Sequence, residues 1–248
     1  MDNHIVQVGD FSITTCLPGD LLKNGPIVIN TFNAYSWVMT NSNPDFKEAL
    51  RTSEKLLPDG VAIQIAARML SGVSIPKIAG ADLHFHLLTL LEKMHGRCFY
   101  LGSSEETLSR IKERLAVEYP SIEVQTYSPP FKPVFSEEDN RSMINAIEEF
   151  SPDVLFVGMT APKQELWISQ NRNQISAMVT CGIGAVFDFY AGTKQRPAQW
   201  MINCGFEWFG RLLSEPKRMW KRYLVYNCVF LYDLFLRWIG IRGKRTPK

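Results

Sequence analysis

Four short apolar runs limit what this chain can fold into: Ile27-Val-Ile-Asn-Thr31, Cys98-Phe-Tyr-Leu-Gly102, Val154-Leu-Phe-Val157 and Ala177-Met-Val-Thr-Cys181. Apolar runs this short, without alternation, read as strands buried on both faces. Glu123–Tyr127 reads as a further strand. The stretches between carry apolar residues at helical spacing. Helices are expected over Asp45–Leu57, Val61–Leu70, Asp82–Met94 with Asp82 as its cap, Glu105–Glu118, Glu137–Phe150 and Glu165–Asn171. Strands alternating with helices at this spacing imply an α/β fold, a mainly parallel sheet covered by helices on both faces. Such sheets bind ligands beyond the carboxyl ends of their strands, so the polar residues ending each run are candidate site residues.

Charge divides the 248 residues unevenly. From Ser214 onward there are nine Lys or Arg against Glu215 and Asp233, a net +7, while the preceding 213 residues carry 18 basic and 23 acidic groups, a net −5. A basic segment on an otherwise acidic chain suggests an anionic surface as partner. Tyr223–Ile241 is aromatic and aliphatic, and near the length of a membrane span. Asp233 and Arg237 oppose a span, since each charge costs roughly 2.5–3.5 kcal/mol on insertion scales. A helix on the membrane surface, a helix packed on the protein body and a span all stay open.

Hydrophobic and charged fractions of 46% and 21% are those of a folded domain. Five widely spaced cysteines without a CxxC pair suit a reducing compartment, each read as a small core residue. Met1-Asp-Asn-His-Ile5 has no basic segment leading into an apolar run. The expectation is a cytoplasmic protein, peripheral on the inner face of the membrane, without a nucleic-acid partner.

Several polar positions can carry chemistry. Pro58-Asp59-Gly60 reads as a turn between two helices, or as a carboxylate placed as general base toward an acceptor hydroxyl. Thr31, Asn33 and Tyr35 lie just past a strand end, where hydroxyl and amide groups can orient a sugar. Gly80-Ala-Asp82 and Gly102-Ser-Ser104 are turns, the second resembling a phosphate-facing strand-to-helix turn. In Ala161-Pro-Lys-Gln-Glu165, Lys163 can neutralise phosphate and Gln164 can pair with a uracil or sugar edge. Gly182 and Gly184 bring backbone close to a ligand, and Asp188 can accept from ribose hydroxyls. GxGxxG and GxxxxGK[ST] do not occur, which argues against a dinucleotide oxidoreductase or a P-loop enzyme. With no HExxH and no Asp-x-Asp, no metal site and no cofactor are expected. If a diphosphate leaving group departs here, positive side chains must stabilise it, and Arg211, Arg218, Lys221 and Arg222 are the candidates.

The ordered series Thr31-x-Asn33, Asp59-Gly60, Gly80-x-Asp82, Gly102, Pro162-Lys-Gln-Glu165, Gly182-x-Gly184 with Asp188, Glu207-Trp208, Arg211 and Glu215-Pro216 with Arg218 closely resembles the WecG/TagA/CpsF family of bacterial glycosyltransferases (family 26). The resemblance runs from about residue 10 to about 225. It implies a Rossmann-like core over 1–205 and a C-terminal appendage over 206–248 that closes on the donor and meets the membrane. It further implies inverting, metal-independent transfer of N-acetylmannosamine, its uronic acid or glucose. The donor would be a UDP-sugar and the acceptor a saccharide on undecaprenyl diphosphate, in cell-surface polysaccharide synthesis. Asp59 then matches the family's base, Thr31, Asn33 and Gln164 its pocket residues, and Arg211–Arg222 its diphosphate cluster. One departure is Arg196-Pro-Ala198, where the family pattern reads Arg-Ala-Pro. The rival reading is a non-catalytic membrane-surface scaffold of a glycan-assembly complex. An apolar tail held away from lipid would also promote self-association.

Overall fold

The computed structural model describes residues 4–23 and 25–241, with Gln199, Asn203 and Arg218 described along the backbone only. No strand is expected before Ile27, yet the chain opens with an antiparallel hairpin, β1 (Ile5–Val8) and β2 (Phe11–Thr14), turning at Gly9-Asp10. The main sheet contains β3 (Ile27–Phe32), β4 (Lys55–Pro58), β5 (Arg97–Gly102), β6 (Glu123–Tyr127), β7 (Val154–Gly158) and β8 (Val179–Gly182). Its order is β4-β3-β8-β7-β5-β6 and every neighbouring pair is parallel. The Rossmann-like α/β architecture expected from the sequence is the one that forms.

Helices α1 (Ala34–Met39) and α2 (Pro44–Arg51) join β3 to β4, and α3 (Val61–Ser71) and α4 (Gly80–Met94) lead to β5. They are followed by α5 (Glu105–Glu118), α6 (Glu137–Phe150) and α7 (Lys163–Asn171), each returning the chain to a strand. Leu83, Leu87 and Leu91 of α4 and Leu108, Ile111 and Leu115 of α5 pack on Tyr100 and Phe156 at one face of the sheet. Met143 and Ile147 of α6 and Trp167 and Ile168 of α7 pack on Phe99, Leu101 and Val157 at the other. Adjacent residues of one strand thus feed opposite cores, and this is why the strands read as continuous apolar runs.

From β5 the chain moves to β6 on one side, and from β7 it moves to β8 on the other. The loops after β5 and β7 therefore part, leaving a crevice at the carboxyl edge. Gly102 pairs with Gly158 at this point. A Cβ on Gly102 would lie 2.4 Å from the Gly158 carbonyl oxygen, and its φ of +115° also favours glycine.

Three elements differ from expectation. The helix from Asp45 stops at Arg51, where the Thr52 and Ser53 hydroxyls bond back to the Glu48 and Ala49 carbonyls. Leu56 and Leu57 then run as a strand beside β3. Helix α4 starts two residues before Asp82, whose carboxylate accepts from the Ala79 N–H at 2.8 Å and so sits in the first turn rather than at the cap. Of the cysteines, Cys98 and Cys181 are core residues, but Cys204 and Cys228 are exposed and Cys16 is half-buried.

After β8 the chain continues through α8 (Val186–Tyr190) and α9 (Gln199–Asn203) into the tail, which holds α10 (Glu207–Ser214), α11 (Pro216–Trp220), a π-helical turn over Lys221–Val225, and α12 (Tyr226–Trp238). Asp233 is 1% exposed and accepts from Trp37 Nε1 at 2.7 Å and Arg237 Nε at 2.9 Å. Phe230 packs edge-on against Trp37. The two charges that oppose a span therefore latch α12 to α1. Leu231, Tyr232, Phe235 and Trp238 remain exposed on the same helix. Among the described residues no helix is long and apolar enough to cross a membrane.

Candidate active site

A cleft of about 1500 Å³ opens over the carboxyl ends of the strands, with the tail as its far wall. Thr31, at the end of β3, and Asn33, the cap of α1, line it. The Asn33 Oδ1 accepts from the Ser36 N–H at 3.1 Å and so caps α1 beside the cleft. Tyr35 follows on α1, with the Arg222 guanidinium 4.5 Å over its ring and Tyr226 beside it.

Asp59 occupies the first position beyond β4. Its N–H extends the ladder to the Phe32 carbonyl at 2.9 Å, and Gly60, at φ 99°, turns the chain into α3. The Pro58-Asp59-Gly60 segment is thus a strand end, not a turn between helices. The Asp59 carboxyl borders the cleft while protein encloses the rest of it. Burial, reinforced by the negative charge of Glu207, raises its pKa; Lys77, Arg211 and Arg222 pull the other way. Glu207 comes from α10 and is held by Lys77 at 2.7 Å and Arg196 at 3.8 Å. A carboxylate raised this way, with cations around it, can take a proton from a hydroxyl.

Gln164 and Glu165 form part of the floor, both buried in the first turn of α7. Gln164 Oε1 accepts from the Met159 N–H at 3.3 Å and its Nε2 donates to Glu165 Oε1 at 3.0 Å. Both polar ends of Gln164 thus already have protein partners. A Cβ on Gly182 would come within 2.9 Å of that Nε2, so glycine there lets strand and side chain close up. Burial pushes the Glu165 carboxyl up to about 7, against the pull of its own backbone N–H, of Gln164 and of Arg222.

The cationic wall comes from the tail. Arg211 stands 5.2 Å from the Phe189 ring centroid, and Lys221 and Arg222 line the cleft with it. Burial lowers the pKa of Arg222, which nonetheless stays cationic, and its field reaches Tyr35, Asp59 and Glu165. The side chain of Arg218 lies outside the described residues.

The model of the glycosyl transferase WecG/TagA/CpsF family matches residues 14–244. The chain belongs to that family. It is 30% identical over 197 residues to the N-acetylglucosaminyldiphosphoundecaprenol N-acetyl-beta-D-mannosaminyltransferase of Bacillus subtilis (strain 168), covering 79% of this chain and 75% of the relative. It is 27% identical over 235 residues to the protein of that name from Staphylococcus aureus (strain MW2), covering 91% and 89%. The same name belongs to a relative from Bacillus spizizenii, 30% identical over 73% of this chain and 68% of its own length.

In this member of the family most of the expected positions meet in the one cleft: Thr31, Asn33, Asp59, Gly80, Gly102, Lys163, Gln164, Glu165, Gly184, Asp188, Arg211, Lys221 and Arg222. Lys163 is turned to a different task. Its ammonium donates to the Lys132 carbonyl and stands 3.5 Å over Phe135, pinning the proline-rich loop that walls the cleft. Asp188 pairs with Lys194 at 3.0 Å. Asp82 is exposed and spent on its helix turn, and Gly182 lies beneath Gln164 rather than on the surface. The Gly102-Ser-Ser104 turn leads into a helix whose first turn carries Glu105 and Glu106, so it is poorly suited to phosphate. Three residues absent from the expected set bear on Asp59: Glu207 and Lys77 act on it directly, and Arg196 pairs with Glu207. Glu207 and Arg196 belonged to recognisable motifs, whereas Lys77 carries no local signal.

Proposed function

We propose that this chain is an inverting, metal-independent transferase that moves a hexose-type sugar from a UDP-sugar to a saccharide carried on undecaprenyl diphosphate. The observation that carries the reading is Asp59. It stands at a strand end in the cleft, its pKa is raised, and Arg211 and Arg222 lie within its field. Asp59 takes the proton from the acceptor hydroxyl as that oxygen bonds to the anomeric carbon. The bond from that carbon to the diphosphate breaks on the opposite side, and UDP leaves with the electron pair. Arg211, Lys221 and Arg222 offset the charge that develops on it, with Arg218 assigned to the same group from the sequence. Thr31, Asn33, Gly80, Gly184 and Asp188 hold the donor. The relatives' names supply N-acetylmannosamine as the first sugar to test, with its uronic acid and glucose as alternatives.

The exposed apolar side of the tail supports membrane contact. Tyr232, Phe235 and Trp238 face outward from a helix whose other side is latched to the core, and Trp220 and the cation Lys221 precede it. An amphipathic helix with flanking cations suits an anionic bilayer. In this reading residues 206–248, of which 242–248 lie outside the described residues, form a functional unit that closes the donor site and places it at the inner face of the membrane.

The experiment is transfer from UDP-N-acetylmannosamine, its uronate and UDP-glucose to a lipid-diphosphate-linked N-acetylglucosamine, with and without EDTA. Turnover that survives EDTA supports the reading. Loss of turnover with EDTA removes metal independence. Salt-sensitive vesicle binding with no UDP binding would favour the scaffold instead.

A further inference from the structure

The floor of the cleft contains a carboxylate oxygen with nothing to bond to. Glu165 is 3% exposed, yet its Oε2 has no hydrogen-bond partner, while Oε1 is taken by Gln164. Gln164 is itself tied to the Met159 N–H, so the Glu165 side chain is held in place from its own helix. A buried polar group left unsatisfied costs about 1–3 kcal/mol, more when charged. Such an atom at the wall of a ligand cleft points to a partner that arrives with the ligand.

The surroundings say which part of the ligand. Among the described residues, Tyr35 of α1 and Arg222 of the π-helical turn are the ionisable groups that interact with Glu165 from other elements. Arg222 also interacts with Asp59. One guanidinium therefore sees both the base and Glu165, which places Glu165 near the reacting end of the donor. A carboxyl group repels a diphosphate, so the oxygen suits a neutral hydrogen-bond donor such as a sugar hydroxyl.

Resting on the transferase reading above, we propose that Glu165 is a sugar-binding residue, its Oε2 accepting a hydrogen bond from a hydroxyl of the transferred sugar. Glu165 thereby distinguishes the sugar nucleotide from bare UDP, and holds the sugar between Asp59 and the tail cations. Ionisation near neutral pH fits this role, because the carboxylate is the better acceptor and the arriving hydroxyl offsets part of its desolvation.

The test is calorimetric titration of the full chain with UDP and with UDP-N-acetylmannosamine, for wild type, Glu165→Ala and Glu165→Gln. Glu165→Ala is expected to weaken the sugar nucleotide by about 10- to 100-fold, the range of a hydrogen bond to a charged group, and to leave UDP within about two-fold. Glu165→Gln, which keeps an acceptor oxygen of similar reach, should recover part of the loss. Equal weakening of both ligands would place Glu165 against the nucleotide or the scaffold and overturn the proposal. So would no change in either. A wild type that binds neither ligand would overturn the transferase reading itself.

Discussion

Glu165→Gln makes a prediction about folding as well as binding. The side chain is 3% exposed, and burial takes its pKa from the ordinary 4.5 up to about 7. Below about pH 4.5 the carboxyl is protonated in both folded and unfolded chains, and burial carries no ionic penalty. Between 4.5 and 7 the folded protein keeps a proton that the unfolded chain has released, so stability falls as pH rises. Above about 7 both forms are ionised and the loss is complete, at roughly 3 kcal/mol. Glutamine does not titrate. Relative to wild type, the variant should therefore gain roughly 3 kcal/mol between pH 4.5 and pH 8, or about 6–12 °C in Tm for a chain of this size. Any fixed difference in how the amide packs shifts the curve without changing its slope. Thermal melts of both proteins across that range, without ligand, read the effect. A difference between the two that does not change with pH would refute the reasoning.

Two further substitutions probe the frame that holds the cleft. Asp233→Ala strands the Trp37 Nε1–H and leaves the Arg237 guanidinium with the longer pairing to Asp10 at 3.8 Å, and should cost roughly 3 kcal/mol in urea denaturation, with Asp233→Asn costing less. Gly102→Ala brings a methyl group to within 2.4 Å of the Gly158 carbonyl oxygen at a φ of +115°. It should lose more than about 2 kcal/mol of stability in urea denaturation.

The parallel sheet was legible where strands are buried on both faces, because Phe99-Tyr100-Leu101 and Leu155-Phe156-Val157 leave no polar alternative. Strand β4 was not, because four residues, Lys55-Leu-Leu-Pro58, are too few to show a period. Phe46, Leu50 and Leu57 happen to fall at helical spacing, but Thr52 and Ser53 end the helix with side-chain bonds. The misplacement matters, since it is the strand that carries Asp59 to the cleft. Ordered motifs identified most of the cleft residues, yet not their tasks. Lys163 looks like a phosphate ligand in sequence, and only the position of Lys132 and Phe135 shows it bracing a loop. Lys77 could not be found from spacing, because its partner Glu207 is 130 residues away. Asp233 and Arg237 read as obstacles to a membrane span, since no sequence rule pairs Asp233 with Trp37 across the fold.

Asp59 is the centre of this account, and the transfer rate of Asp59→Asn tests it most directly. The amide keeps the shape of the side chain and removes the base. With the lipid-diphosphate acceptor and the active UDP-sugar, the rate should fall by about 10²–10⁴-fold, while UDP binding stays within about two-fold. An Asp59→Asn variant that turns over at the wild-type rate would contradict it.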